Sequence, residues 1–190
     1  QFELVEELAD NVELPVQVTI ASGFPKGDKL EFITQKVTEL GASQVWAFPA
    51  DWSVAKWDGK KLGKKVEKLE KIALGAAEQS KRNRIPSIKL FEKKGDFLAQ
   101  LDQFDRIVVA YEESAKEGEA AALLQAVNGL EKGAKLLFIF GPEGGLSPAE
   151  IESFEAKGAV LAGLGPRILR AETAPLYALS ALSVLLELEK

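Results

Sequence analysis

"AKLLFIFGPEGGLSPAE", Ala134 to Glu150, decides the fold. Its first seven residues are an apolar run of strand length, and the glycines and proline of "GPEGG" (Gly141–Gly145) prevent the chain from continuing as helix. Ser147 at an N-cap, Pro148 at the first helical position and Glu150 three residues after the cap form a capping box that starts a helix at once. A buried strand, a glycine loop and an immediate helix make one step of a parallel α/β sheet. Glycines permit close backbone approach, and the carboxyl end of a parallel strand is where such sheets bind ligands. A tight βα turn without a ligand is the alternative reading. No Gly-Lys-Ser/Thr follows, so the loop is not a P-loop.

Working outward, a second cluster repeats the pattern. "LGPRILRAETA" (Leu164–Ala174) leaves the apolar stretch "AVLAGL" and sets Arg167, Arg170 and Glu172 beside a helix start. Glu172 and Thr173 suit a helix N-terminus, but two arginines gain nothing from its dipole, and an anionic ligand explains them better. "GLGPRI" lacks the third glycine of a dinucleotide fingerprint, which disfavours Rossmann-type NAD binding. Upstream, "VQVTIA" and "QVWAFP" read as strands around a helix "KLEFITQKVTEL" stopped by Gly41. A long helix is expected over Lys60–Ser80, then strands "SIKLF" and "RIVVAYEE", a helix "AAALLQAVNGL", and a last helix from Thr173 to about Glu187. Strands alternating with helices give an α/β fold with a mostly parallel sheet. Residues 1–15, acidic and closed by Pro15, read as a linker or the end of a preceding element.

Composition limits the chemistry. The 190 residues contain no Cys and no His, which removes the usual zinc sites and Ser-His or Cys-His catalysis. Acid–base work falls to Asp, Glu, Lys, Tyr or Arg, and an enzyme of this composition borrows its reactivity from a cofactor or substrate. No membrane span, signal peptide or disulfide framework is expected, and a cytoplasmic setting fits. With no Met in the chain, its native start is expected to lie upstream. Net charge is −5, yet Val54–Lys94 holds thirteen Lys+Arg against five Asp+Glu. Such a basic band is either a phosphate-binding face or a solvated lysine-rich helix.

Together, "GPEGGLSPAE" and "LGPRILRAETA" resemble the signature pair of the RsmE-type ribosomal RNA methyltransferases, members of the SPOUT superfamily. "FPKGDKLEFITQKVTELG" and "AAEQSKRNRIP" match the same family's upstream segments in order and spacing, so the likeness runs from about Pro15 to Glu187. The resemblance implies a SPOUT-type knotted methyltransferase domain over residues 16–190, with a C-terminal trefoil knot. It implies S-adenosylmethionine as cofactor, N3 of a uridine in 16S rRNA of the small ribosomal subunit as methyl acceptor, and a homodimer, with no metal. Cofactor contacts would come from Val109, Ala110, Tyr111 and on to Glu112, from Gly141, Pro142, Glu143, Gly144 and Gly145, and from Leu164, Gly165, Pro166, Ile168 and Leu169. Arg170 and Glu172 would lie near the transferred methyl group. Full-length members carry an N-terminal PUA-like RNA-binding domain, of which residues 1–15 would be the remnant. The family tends to have Thr where Ala171 stands.

The inventory suits this chemistry. Methylation of uracil at C5 usually needs a cysteine nucleophile, whereas N3 needs only loss of the imide proton and in-line approach to a sulfonium methyl. Arg170 would stabilise the imide anion, with Glu172 orienting Arg170 or accepting the proton. Lys81, Arg82 and Arg84, with Lys26, Lys29 and Arg167, are the expected RNA contacts. Trp46, Trp52 and Trp57 are read as core before base-stacking groups. The nearly all-apolar last helix is expected at the dimer interface. Two other readings stand beside this one: a SPOUT enzyme acting on a ribose 2′-hydroxyl or a tRNA base, and a non-catalytic α/β RNA-binding module without cofactor affinity.

Overall fold

The structure, a computed structural model, describes residues 11–111 and 122–188. In chain order the elements are β1 (Gln17–Gly23), α1 (Lys29–Glu39), β2 (Gln44–Phe48), α2 (Gly59–Gln79), β3 (Ser87–Leu90) and α3 (Lys94–Leu98). A 3-10 turn (Leu101–Gln103) leads to β4 (Arg106–Ala110), α4 (Ala122–Val127), β5 (Lys135–Phe140), α5 (Pro148–Glu155), β6 (Val160–Ala162) and α6 (Ala174–Ser183). A π-helical turn, Val184–Leu188, extends α6. The six strands form one parallel sheet in the order β3-β2-β1-β5-β4-β6. The expected α/β class is therefore observed. Glu112 and the first residues of the expected "AAALLQAVNGL" helix lie outside the described residues.

The apolar runs of the central strands follow from burial on both faces. Along β5, Leu136, Phe138 and Phe140 enter one core with Ile33 and Val37 of α1 and Ala178, Leu179 and Leu182 of α6. The alternate residues Leu137 and Ile139 enter another core with Phe97 of α3 and Ile151 and Phe154 of α5. An aromatic cluster reinforces the second core: Phe48 stacks on Phe97 at 4.2 Å between centroids, with Trp46 edge-on to Phe91. Truncating Phe138 to Ala would cost roughly 3–5 kcal/mol, the usual range for a buried aromatic.

Two helix ends share a geometry that matters below. Helix α1 closes with Gly41 at φ +97, where Ala42 N–H donates to Val37 O and Gly41 N–H to Thr38 O. Helix α2 closes identically, Arg82 N–H on Ala77 O and Lys81 N–H on Glu78 O, but Lys81 holds the left-handed position at φ +57. This turn directs Arg82 inward. Its guanidinium donates to Thr38 O and Ala42 O, each at 2.8 Å, and pairs with Glu13. With its side chain 2% exposed, Arg82 corrects the expectation that it contacts RNA. It clamps the carbonyls at the end of α1 instead.

Residues 1–10 of the expected linker lie outside the described residues, and residues 11–15 pack against the sheet domain. Leu14 joins the first core, Pro15 O accepts from Gly133 N–H at 2.7 Å, and Glu13 holds Arg82.

Candidate active site

Strand order sets the site. β1 and β5 are neighbours whose carboxyl-end connections leave in opposite directions, from β1 to β2 on one side and from β5 past β4 to β6 on the other. Ligands of open parallel sheets sit at such a switch point, beyond the carboxyl ends of the strands. A cleft of about 650 Å³ lies there. Its lining comes from Ala110 and Tyr111 after β4, Gly141–Leu146 after β5, and Ile168–Ala171 after β6. Lys29 and Trp52, from the β1 and β2 side, complete it. A smaller cavity of about 100 Å³ continues between Tyr111 and the 164–169 loop, reaching Leu164, Gly165 and Arg167. The three segments expected to hold a cofactor are thus brought together. Val109 is fully buried in β4, and Pro166 lines neither cavity.

Glycine is required where the β5 loop doubles back. A Cβ on Gly141 would stand 2.8 Å from the carbonyl carbon of Gly145 and 3.1 Å from Leu146 N. One on Gly144 would meet the Cβ of Trp52 at 3.1 Å and its carbonyl oxygen at 3.2 Å. Gly145 N–H closes the turn on Pro142 O at 2.9 Å. Along Gly141–Gly145 backbone therefore forms the cleft surface, a fit to a ligand held there through main-chain groups and shape.

The loop's far end is the capping box read from the sequence. Glu150 N–H donates to Ser147 Oγ at 3.2 Å, and Ser147 N–H donates to Glu150 Oε2 at 2.9 Å. Glu150 is 1% exposed, and its other carboxylate oxygen accepts from Asp51 N–H at 2.9 Å. Ser147 Oγ donates to Asp51 Oδ2 at 2.6 Å, and Lys94 pairs with Asp51. The bond from Lys94 and then that from Ser147 outweigh the opposing effect of burial and hold the Asp51 carboxyl below its usual range. This network, anchored on the buried Glu150, ties the loop after β2 to the loop after β5, a link the sequence reading missed.

Charge concentrates at the cleft's edge. Lys29 Nζ lies 3.0 Å from Glu143 Oε1 and 3.2 Å from Glu172 Oε2, and Lys26 N–H donates to Glu143 at 3.0 Å. Burial pushes the Glu172 carboxyl up, but its own backbone N–H, Lys29 and the charge of Arg170 outweigh that and leave it below the ordinary range. Burial also raises Glu143, and the N–H groups of Lys26 and Glu143 with Lys29 bring it below. Lys29 is raised, chiefly by its bond to Glu143, against a partial desolvation penalty. Glu172 therefore faces Lys29, where the sequence suggested that it orients Arg170. It does not serve as the helix cap, and Thr173 makes no side-chain cap bond either.

Lys29, expected among the RNA contacts, is thus placed in the cleft with its charge taken by two carboxylates. Lys26, Lys81, Arg84 and Arg167 are exposed. The tryptophans divide. Trp46 is core, Trp57 packs on Phe24 beneath Lys65, and Trp52 stands at the cleft, 49% exposed, against the expectation of a core residue. No described helix is long and apolar enough to cross a membrane, and no cluster of potential metal ligands occurs among the described residues.

Comparison with known proteins agrees with this geometry. The RNA methyltransferase domain family matches residues 12–183. A ribosomal RNA small subunit methyltransferase E of Bacillus subtilis is 54% identical over 185 residues, covering 97% of this chain and 72% of that protein. Among solved structures, a Legionella pneumophila protein in complex with the cofactor SAM aligns with TM-score 0.79 and 29% identity over 94% of this chain and 70% of its own. A ribosomal RNA small subunit methyltransferase E of Neisseria gonorrhoeae bound to S-adenosyl methionine aligns with TM-score 0.75 and 26% identity over 95% and 72%. The likeness bears out the SPOUT-type α/β fold. This chain belongs to the RNA methyltransferase domain family and, within it, to the ribosomal RNA small subunit methyltransferase E proteins.

Proposed function

We propose that this chain methylates N3 of a uridine in small-subunit (16S) ribosomal RNA, with S-adenosylmethionine as methyl donor, and that it works in the cytoplasm as a homodimer. One observation carries the reading: the ends of β4, β5 and β6 meet in a backbone-walled cleft with Arg170 and the Lys29–Glu172 pair beside it. The SAM-bound relatives support the same cofactor here. The segments after β4, β5 and β6 would hold it, and when bound it supplies an electrophilic methyl group. The trefoil knot belongs to this reading too.

The chain's own groups then position and neutralise. N3 of the uracil would give up its imide proton to solvent water and, as the anion, take the methyl group that the cofactor would supply. Arg170 is exposed beside the cleft, and although its charge acts on Glu172, none of the ion pairs among the described residues closes on it, so its guanidinium can face the imide anion. Glu172, held ionised by Lys29, is a weak base, and its role is to fix the loop that carries Arg170. The exposed Lys26, Lys81, Arg84 and Arg167 would contact RNA phosphates. For the dimer, α6 and its extension leave Tyr177, Val184 and Leu188 exposed, an apolar surface that a second copy would cover.

Calorimetric titration with S-adenosylhomocysteine, followed by transfer of labelled methyl to 16S rRNA and mass-spectrometric identification of the product nucleoside, tests the proposal. Micromolar binding near one per protomer and 3-methyluridine as product are expected. A folded sample that binds no S-adenosylhomocysteine, or a product methylated at ribose, would overturn it.

A further inference from the structure

We infer that Trp52 is the platform on which the target base stacks, and that the Asp51–Ser147–Glu150 network exists to hold it there. The inference rests on the methyltransferase reading above. An indole left half exposed in water forgoes much of its hydrophobic stabilisation, and among the described residues Trp52, unlike Trp46 and Trp57, packs on no other aromatic ring. Its Cβ and carbonyl oxygen lie against the glycine loop, where a Cβ on Gly144 would meet them at 3.1 and 3.2 Å, and its ring edge lies 4.0 Å from where a Cβ on Gly145 would stand. The backbone beneath it is fixed on both sides: Asp51 N–H donates to the buried Glu150, and Ser53 N–H donates to Ala50 O at 3.0 Å. A rigid, exposed aromatic face beside a glycine loop is the arrangement that unpaired bases stack on.

Position in the sheet separates base from cofactor. The cofactor segments follow β4, β5 and β6, and the smaller cavity extends the cleft further in that direction, between Tyr111 and the 164–169 loop. Trp52 follows β2, on the other side of β5, the side that also supplies Lys29. A flipped uracil entering from that side would lie with one face on the indole and its edge toward the cofactor segments.

The test uses the whole chain, S-adenosylhomocysteine and a short single-stranded RNA containing uridine, with calorimetry for the cofactor analogue and fluorescence for RNA. Because Trp46 is 2% exposed and Trp57 is partly buried, RNA quenching of tryptophan emission should come from Trp52 and vanish in Trp52→Phe. Trp52→Ala should weaken RNA roughly 5- to 150-fold, the range for loss of one base stack. Trp52→Phe should restore most of that affinity. Both variants should bind S-adenosylhomocysteine as the wild type does. Unchanged RNA affinity in Trp52→Ala with intact cofactor binding would overturn the inference alone. A matching loss of cofactor affinity would make Trp52 a cofactor wall and overturn it too. Failure of the wild type to bind S-adenosylhomocysteine would remove the methyltransferase reading and this inference together.

Discussion

The ammonium of Lys29 lies 3.2 Å from a carboxylate oxygen of Glu172, and the same nitrogen reaches Glu143 at 3.0 Å. One cation at the start of α1 thereby joins the loop after β5 to the loop after β6. Removing it leaves two carboxylates, 25% and 22% exposed, facing one another without a counter-charge. Lys29→Ala should weaken S-adenosylhomocysteine binding or lower turnover by about 1–2 kcal/mol, roughly five- to thirtyfold, with Lys29→Arg recovering part of it. If Lys29 served only as an RNA phosphate contact, the variant would raise KM for RNA and leave cofactor affinity untouched. Calorimetry on the two variants distinguishes the cases.

The same trio sets a pH window. Glu143 and Glu172 have folded values below their ordinary 4.5, so their contribution to stability is present above 4.5 and is lost as pH falls through the folded values. Lys29 is raised above its ordinary 10.5, so its contribution is full below 10.5 and is lost as pH rises through the folded value. Between those limits the clasp does not titrate. The difference in Tm between wild type and Lys29→Met should therefore be constant from about pH 5.5 to 9.5, shrinking below that range as the carboxylates protonate and above it as Lys29 loses its proton. A difference that varies through neutral pH would show that the carboxylates are not held ionised.

Gly141 tests the cofactor cradle by shape alone. A methyl group there must displace Gly145 or Leu146 backbone, since no flexible side chain stands in its way. Gly141→Ala should reduce S-adenosylhomocysteine affinity at least tenfold, about 1.4 kcal/mol. Gly63, with nothing within 4 Å of its added Cβ on the exposed side of α2, is the control. Gly63→Ala should bind normally and gain up to about 1 kcal/mol of stability from better helix propensity. Equal affinities for the two variants would count against a cofactor seated on the β5 loop.

What the sequence disclosed was local. The capping box at Ser147 and Glu150, the glycine stop at Gly41 and the β5 run are settled by residues a few positions apart, and all three are observed. Glu150 also reaches Asp51, 99 residues away, and no local pattern encodes that bond. Trp52 was unreadable for a related reason: "PADWS" has no periodicity to assign a face, and only the packing of the β2 loop on Gly144 exposes the indole at the cleft. Lys29 looked like any surface lysine until the two carboxylate loops closed around it.

Arg82 shows how backbone geometry separates neighbours of the same charge, and it yields the last prediction. In "SKRNR" three cations stand within four positions, yet the left-handed turn at Lys81 sends Arg82 into the protein and leaves Lys81 and Arg84 in solvent. Breaking a buried ion pair by removing one partner costs about 3–5 kcal/mol. Because Glu13 keeps 11% exposure, Arg82→Ala belongs near the lower end, a Tm drop of roughly 6–12 °C for a domain of this size. Lys81→Ala and Arg84→Ala should leave Tm within about 2 °C while each lowers the slope of log RNA affinity against log salt by roughly 0.7–0.9. Lys81→Gly separates the two roles at one position. It should weaken RNA binding as Lys81→Ala does, yet raise stability by about 0.5–1 kcal/mol, because glycine adopts φ +57 without the strain a lysine side chain meets there. Thermal melts and a salt titration on these four variants give both quantities. A normal Tm with a reduced salt slope in Arg82→Ala would return Arg82 to the RNA-binding surface and refute the clamp.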